Sequence, residues 1–282
     1  PSQHGVHDFL HWGRAFGGRG RADETAFLAG QPTYTEVLAA AGYDCCLSGK
    51  WHLGYALEPQ AGFAHWAPMP SGGCNYFHPP IVEDGRLVTH DGEYASDLFT
   101  DNALAFLDAQ GDSSKPFCLH VHYNAPHSPW DREHHPAKLW DDYHDNCPFE
   151  SVPDEPSAGG KANTDFFDSP ERRREKLAGY YAAVEGMDAN VGRLLDALEA
   201  QGLRDSTLVV FMSDNGMNMG HHGICGKGNA SWPQNMFDTS VKIPALISQP
   251  GRIAEGVVDE NLLSQYDWLP TALDYLGVDA PP

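Results

Sequence analysis

Basic residues are scarce in this chain. Its 18 lysines and arginines face 39 aspartates and glutamates, a net charge of −21 over 282 residues. With no basic surplus to neutralise phosphates, the balance argues against nucleic acid as a partner and against docking on an anionic membrane. Long apolar runs are missing as well, and no stretch approaches the roughly 20 residues of a membrane-spanning helix. The opening PSQHGVHDFL is not a signal peptide. It lacks a methionine and reads as though it starts in mid-domain, so any export signal is expected upstream of residue 1. The six cysteines (45, 46, 74, 118, 147 and 225) show no paired metal-ligand spacing and read as buried thiols with at most one bridge. They do not report a compartment, and nothing in the sequence reports an oligomeric state. Internal repeats and low-complexity tracts are absent. Hydrophobic residues make up 41%, enough for a sizeable core and too many for wholesale disorder.

The most informative stretch runs from Thr207 to Lys227. A short apolar run, Leu208–Met212, breaks into Ser213-Asp214-Asn215-Gly216. Asp214 and Asn215 offer the hard oxygens that Ca²⁺ or Mg²⁺ prefers, and the glycine lets the backbone turn straight after them. His221, His222 and Lys227 follow in a glycine-rich loop. Zinc at the two histidines is disfavoured, because adjacent side chains do not easily share one metal. Taken alone, an Asp-Asn-Gly turn has an ordinary structural reading.

The rest of the chain repeats this grammar. Residues 33–41 read as a short helix with Thr33 as N-cap, and Gly42 ends it. Residues 43–48 read as a strand running into Gly49-Lys50-Trp51-His52. Residues 55–95 look loop-rich. Residues 96–110 carry apolar side chains at helical spacing. A strand over 117–123 delivers Asn124-Ala125-Pro126-His127. Residues 131–169 read as an extended insertion, and 171–201 as a long amphipathic helix stopped by Gly202. Residues 242–248 suggest an edge strand broken early by Pro244, and 265–276 a last helix with Pro270 as a kink or restart. His4, His7 and His11 would share a face if that segment were helical. No domain boundary stands out.

Alternating helices and strands predict an α/β fold whose mostly parallel sheet has helices on both faces. In such a sheet, loops distant in sequence meet at the carboxyl edge, where ligands bind. Lys50 and His52, then His127, then Asp214, Asn215 and Lys227 all sit in loops of that kind. Each has an ordinary alternative: a solvated lysine, a satisfied half-buried histidine, a polar turn. Together they suit hydrolysis of a tetrahedral oxyanion ester. Lysines and a cation offset charge on the nonbridging oxygens, and a histidine handles the leaving-group proton.

Several segments resemble a known family, the formylglycine-dependent sulfatases. GYDCCLSGKWHLG (Gly42–Gly54) resembles their second signature. VVFMSDNG and HGICGKG resemble their calcium and sulfate loops, and NAPHSPW their histidine loop. QYDWLPTALDYLGV resembles the end of their large domain. The resemblance implies an alkaline-phosphatase-like fold, a mixed and mostly parallel sheet between helices. It implies Ca²⁺, in preference to Mg²⁺, on Asp214 and Asn215, and sulfate oxygens on Lys50 and Lys227. His52 would deprotonate the hydrated-aldehyde hemiacetal or orient the nucleophile. His127 would protonate or contact the leaving oxygen, and His222 falls where some relatives place a pocket histidine. The implied substrate is a small-molecule or glycan sulfate ester, and the implied location periplasmic or extracellular.

One departure is large. The family's Cys/Ser-x-Pro-x-Arg motif, the source of formylglycine, is not in the sequence, nor are the paired aspartates that complete the metal site. PSQHGV resembles the segment that follows that motif. The expectation is a fragment starting just after it, lacking the smaller C-terminal subdomain and turning over no sulfate ester by itself. A phosphate or phosphonate monoester hydrolase of the same superfamily is the alternative enzyme, and a non-catalytic binder of sulfated glycans the alternative class.

Overall fold

The structure is a computed structural model, and it describes residues 10–11, 14–15, 24–111, 113–156 and 168–280. In chain order the elements are β1 (Leu10–His11), β2 (Arg14–Ala15), α1 (Tyr34–Ala40), β3 (Asp44–Lys50), β4 (His65–Met69), β5 (Pro80–Glu83), β6 (Arg86–Thr89), α2 (Ala95–Gln110) and β7 (Phe117–His122). They continue with α3 (Ala137–Asn146), α4 (Pro170–Ala200), β8 (Val209–Met212), β9 (Asn218–Met219), β10 (Cys225–Gly226), α5 (Asp238–Val241), β11 (Ala245–Ser248) and α6 (Gln265–Leu276). The chain forms two compact units that interleave in sequence. One comprises Pro1–Ala125, Met187–Ala197 and Val258–Pro282, the other Pro126–Gly186 and Leu198–Val257. Because the units interleave, no linker composition marks them. His4 and His7, and the side chain of His11, lie outside the described residues.

The first unit is built on a parallel sheet in the order β4-β3-β7. Its central strand, DCCLSGK, is buried at every position but its ends, as expected for a parallel strand covered on both faces. On one face Cys45 and Leu47 pack with Leu38 of α1 and Leu273 of α6. On the other, Ser48 Oγ donates to the Phe99 carbonyl of α2 at 2.8 Å. Helices therefore cover both faces, as the alternation predicts. α1 starts where expected: Thr33 and Glu36 cap each other's backbone N–H in a reciprocal box. α6 runs unbroken through Pro270.

Two stretches expected to lack regular structure do not. Residues 55–95 hold β4 and the β5–β6 hairpin. Pro68 hides β4 from a propensity reading, and the sheet tolerates that proline because β4 is its outer strand. Residues 131–156 hold α3, anchored by the buried Trp140. Lys50, expected just past its strand, is the last residue of β3.

In the second unit β11 pairs antiparallel with β8 over four residues, Ala245↔Met212 to Ser248↔Val209. Pro244 sits immediately before it, so the strand starts later than position 242. The core gathers Trp130, Trp140, Phe149, Leu177, Ala178, Ala182, Met219 and Cys225. All six cysteines are free thiols.

Candidate active site

In the first unit Lys50 ends β3 at the carboxyl edge of the parallel sheet, half-buried. The Trp51 N–H donates to the Met69 carbonyl at 2.8 Å, which continues the β3–β4 ladder past the lysine. Burial pushes the Cys74 thiol up to about 12, and the nearby Lys50 ammonium opposes that shift. The lysine's charge is thus felt inside this edge. His52 lies against a bare glycine: a Cβ on Gly72 would stand 2.4 Å from His52 Cε1. Gly72 gives the imidazole its seat.

In the second unit the other candidates gather around α5, a single turn of helix. The Gly216 N–H, at the end of the Asp214-Asn215 turn, donates to the Ser240 carbonyl at 3.0 Å. Buried Asn218 donates from Nδ2 to Ser240 Oγ and to the Gly226 carbonyl, both at 2.8 Å. Ser240 Oγ donates to Asn235 Oδ1 at 2.6 Å, and Asn235 Nδ2 reaches the Lys227 carbonyl at 3.2 Å. One serine thus ties the oxygen-donor turn and the lysine loop to the same helix. His222 adopts a left-handed backbone, φ 58° and ψ 21°. Its ring stacks on Phe237, the residue that caps α5, with centroids 4.0 Å apart. A non-glycine residue held there is a strained position of the sort found at functional sites.

Sequence reasoning missed Asn218, Asn235 and Ser240. Their bonds cross loops and reach backbone carbonyls as well as side chains, with no periodicity to betray them. Burial without charge is their only common property.

His127 sits on a loop where four carbonyls are held by ring N–H groups. Trp130 Nε1 donates to Pro126 O at 2.9 Å, His135 Nε2 to Pro129 O at 3.0 Å and Trp140 Nε1 to Trp130 O at 3.1 Å. His127 Nδ1 donates to the Ser128 carbonyl at 2.8 Å. In a neutral ring that leaves Nε2 as the basic nitrogen, the arrangement of an acid–base histidine.

His135 is almost fully buried, and burial pulls its imidazole down from 6.5 to about 4. The folded state then refuses a proton that the unfolded chain accepts. Stability is fully present above pH 6.5 and falls as pH drops through the window from 6.5 to about 4. The contribution of this one group is on the order of 3 kcal/mol. Urea midpoints measured across that window should decline for the wild type and decline less for His135→Phe. Parallel slopes would remove His135 as the cause.

The second unit holds hard oxygens at Asp214 and Asn215, an ammonium at Lys227 and an imidazole at His127, and the first unit holds an ammonium at Lys50. Asp214 is exposed and Asn215 half-buried. Ser213 Oγ donates to the Asn215 backbone carbonyl at 2.8 Å, which shapes the turn. Carboxylate and carboxamide fit Ca²⁺ in kind. In number they supply part of the about six to eight oxygens it takes. The structure brings Asp214, Asn215, His222 and Lys227 together within the second unit, which also carries His127. Lys50 and His52 belong to the first.

A protein-family model described as Sulfatase matches residues 21–278. The chain is 30% identical to an N-acetylglucosamine-6-O-sulfatase of Bacteroides thetaiotaomicron, over 91% of its own length and 56% of the relative's. It is 30% identical to an ulvan-active sulfatase of Formosa agariphila, over 87% of its own length and 46% of the relative's. Among solved structures, one of a protein in complex with its substrate D-glucosamine-2-N,6-O-disulfate matches at a TM-score of 0.70 and 26% identity. That match covers 92% of this chain and 63% of the other. The chain spans about half the length of the curated relatives it matches.

Proposed function

The chain belongs to the sulfatase family, with its alkaline-phosphatase-like α/β fold, and from that premise we propose that the whole protein hydrolyses sulfate esters of sugars. Lys50 and Lys227 hold nonbridging sulfate oxygens. His127, once its ring is protonated at Nε2 as well, gives that proton to the leaving sugar oxygen, and His52 sits beside the attacking group. Asp214 and Asn215 contribute to a Ca²⁺ site, and a cation there would supply positive charge against the ester oxygens. His222 is a further substrate-binding residue. The Cys/Ser-x-Pro-x-Arg motif that yields formylglycine in the family resemblance is not among these 282 residues, and without that nucleophile they are expected to turn over no sulfate ester by themselves.

The observation that carries this reading is Ser240. A hard-oxygen turn and a lysine between two glycines are fastened to one helical turn through a single buried residue, the turn by its backbone carbonyl and the lysine loop by its hydroxyl through Asn235. A stable polar turn needs no such tie, whereas an anion held between a cation and an ammonium needs both at a set separation. In a chain of net charge −21, the local placement of positive groups must outweigh the global field.

The test compares N-acetylglucosamine 6-sulfate with its 6-phosphate as substrates of the full-length protein. The sulfate should turn over faster, and Lys227→Ala should lower kcat/KM on it by about 10² to 10³-fold. Faster turnover of the phosphate would move the protein to the phosphate and phosphonate branch. Full activity in Lys227→Ala would remove the lysine from the site.

A further inference from the structure

Side chains alternate along β7, so His120 and His122 share one face of the first unit's sheet. They stand opposite Leu47 and Gly49 of β3. A chain of contacts runs along this face. The Tyr34 hydroxyl of α1 lies 2.6 Å from His120 Nε2. His120 Nδ1 lies 3.2 Å from His122 Nε2. His122 Nδ1 lies 3.0 Å from the Lys50 carbonyl.

The last contact sets the direction of the others. A carbonyl only accepts, so His122 Nδ1 carries its proton. A neutral ring then accepts at Nε2, so His120 donates from Nδ1. His120 in turn accepts at Nε2, from the Tyr34 O–H. Burial keeps the His120 ring neutral and the Tyr34 phenol protonated, pulling the His120 imidazole down to about 3 and pushing the Tyr34 phenol well above its ordinary value.

The chain ends where the sheet needs it. The pairing of β3 with β7 stops at Gly49↔His122. The Trp51 N–H points to Met69 on β4, so the carbonyl of the same peptide, that of Lys50, points the other way, past the end of the β7 ladder. A backbone carbonyl at a strand end must find a partner, and the His122 ring supplies it.

We propose that Tyr34, His120 and His122 form a one-directional hydrogen-bond chain whose end on the Lys50 carbonyl positions the lysine for its anion. The inference rests on the reading of Lys50 as a sulfate ligand and deepens it. His120 and His122 are positioning residues. They act on the peptide that carries Lys50, and chains of this kind strengthen each link by polarisation.

Nitrogen NMR of the full-length protein labelled at histidine tests the chain itself. Both rings should show the neutral Nδ1–H tautomer, the less common one for a free imidazole. An Nε2–H signal from either ring overturns the chain. Kinetics and inhibition by inorganic sulfate test the positioning. His122→Leu should raise KM and the sulfate inhibition constant by about ten-fold. His122→Asn, whose amide can reach the same carbonyl, should stay close to wild type. Equal losses in the Leu and Asn variants, or no loss in either, overturn the positioning role. Unchanged sulfate inhibition in Lys50→Ala would instead overturn the anion role of the lysine, and the tautomers would still decide the chain.

Discussion

Alanine at Gly179 and alanine at Gly192 should shift stability in opposite directions, although both positions lie inside α4. Helix propensity favours alanine over glycine by up to about 1 kcal/mol at an interior position. At Gly192 nothing lies within 4 Å of the added Cβ, so Gly192→Ala should collect that gain. At Gly179 the same methyl would stand 1.9 Å from the Trp130 carbonyl oxygen, 2.5 Å from its carbon and 2.7 Å from its Cα. These are backbone atoms and cannot swing aside as a side-chain tip would. The Trp130 carbonyl is also bonded by the buried Trp140 indole, so moving it strains the seat of α3. Gly179→Ala should therefore cost at least about 4 kcal/mol, in the range kept for severe overpacking. The loop that must yield is the one carrying His127, so activity should fall even where the variant folds. Urea melts of the two variants beside wild type decide the matter. Equal midpoints would mean that α4 is not seated on that loop.

What could be read from sequence divides by the kind of signal each element sends. α2, α4 and α6 are long enough for their apolar spacing to show, and the structure places each within one residue of the expected ends. β3 is legible for a different reason. Its buried run meets Gly49 and Lys50, a change of chemistry at a strand end. β4 sends neither signal, because it is five residues long, partly exposed and interrupted by Pro68. The candidate site shows the same split. Charged and metal-type residues in glycine-rich loops announce themselves: Lys50, His52, His127, Asp214, Asn215 and Lys227. The groups that hold those loops in place are uncharged and fall at no regular spacing from them. Ser240 and Asn235 lie in a stretch with no periodic pattern, and their role exists only once Gly216 and Lys227 are folded against α5. The ring N–H groups of Trp130, His135 and Trp140 are legible as aromatics and illegible as caps, since only the fold says which carbonyl each one meets.

Gly49→Ala should be the most damaging single methyl in the first unit's sheet, because two independent costs coincide there. The backbone stands at φ +102°, a region that side-chain-bearing residues rarely adopt, and holding alanine in such a region costs on the order of 1–3 kcal/mol. The new Cβ would also lie 2.2 Å from the His122 carbonyl oxygen and 2.9 Å from Phe99 Cδ2. Relief requires parting β3 from β7 at the register pair Gly49↔His122, or pushing α2 outward from a sheet it packs on through Phe99. The sum should exceed about 5 kcal/mol, comparable with the whole stability of an ordinary domain. The expected result is little soluble protein at 37 °C and, in what survives, loss of hydrogen-exchange protection along β7. Both routes of relief move the next residue, Lys50, and both lengthen the contact of its carbonyl with His122. A variant that folds should therefore bind sulfate weakly and lose the Nδ1–H signature of His122 at the same time. An unfolding free energy within about 1 kcal/mol of wild type would mean that the end of β3 does not approach β7 as closely as its register requires, and the positioning of Lys50 would have to come from elsewhere.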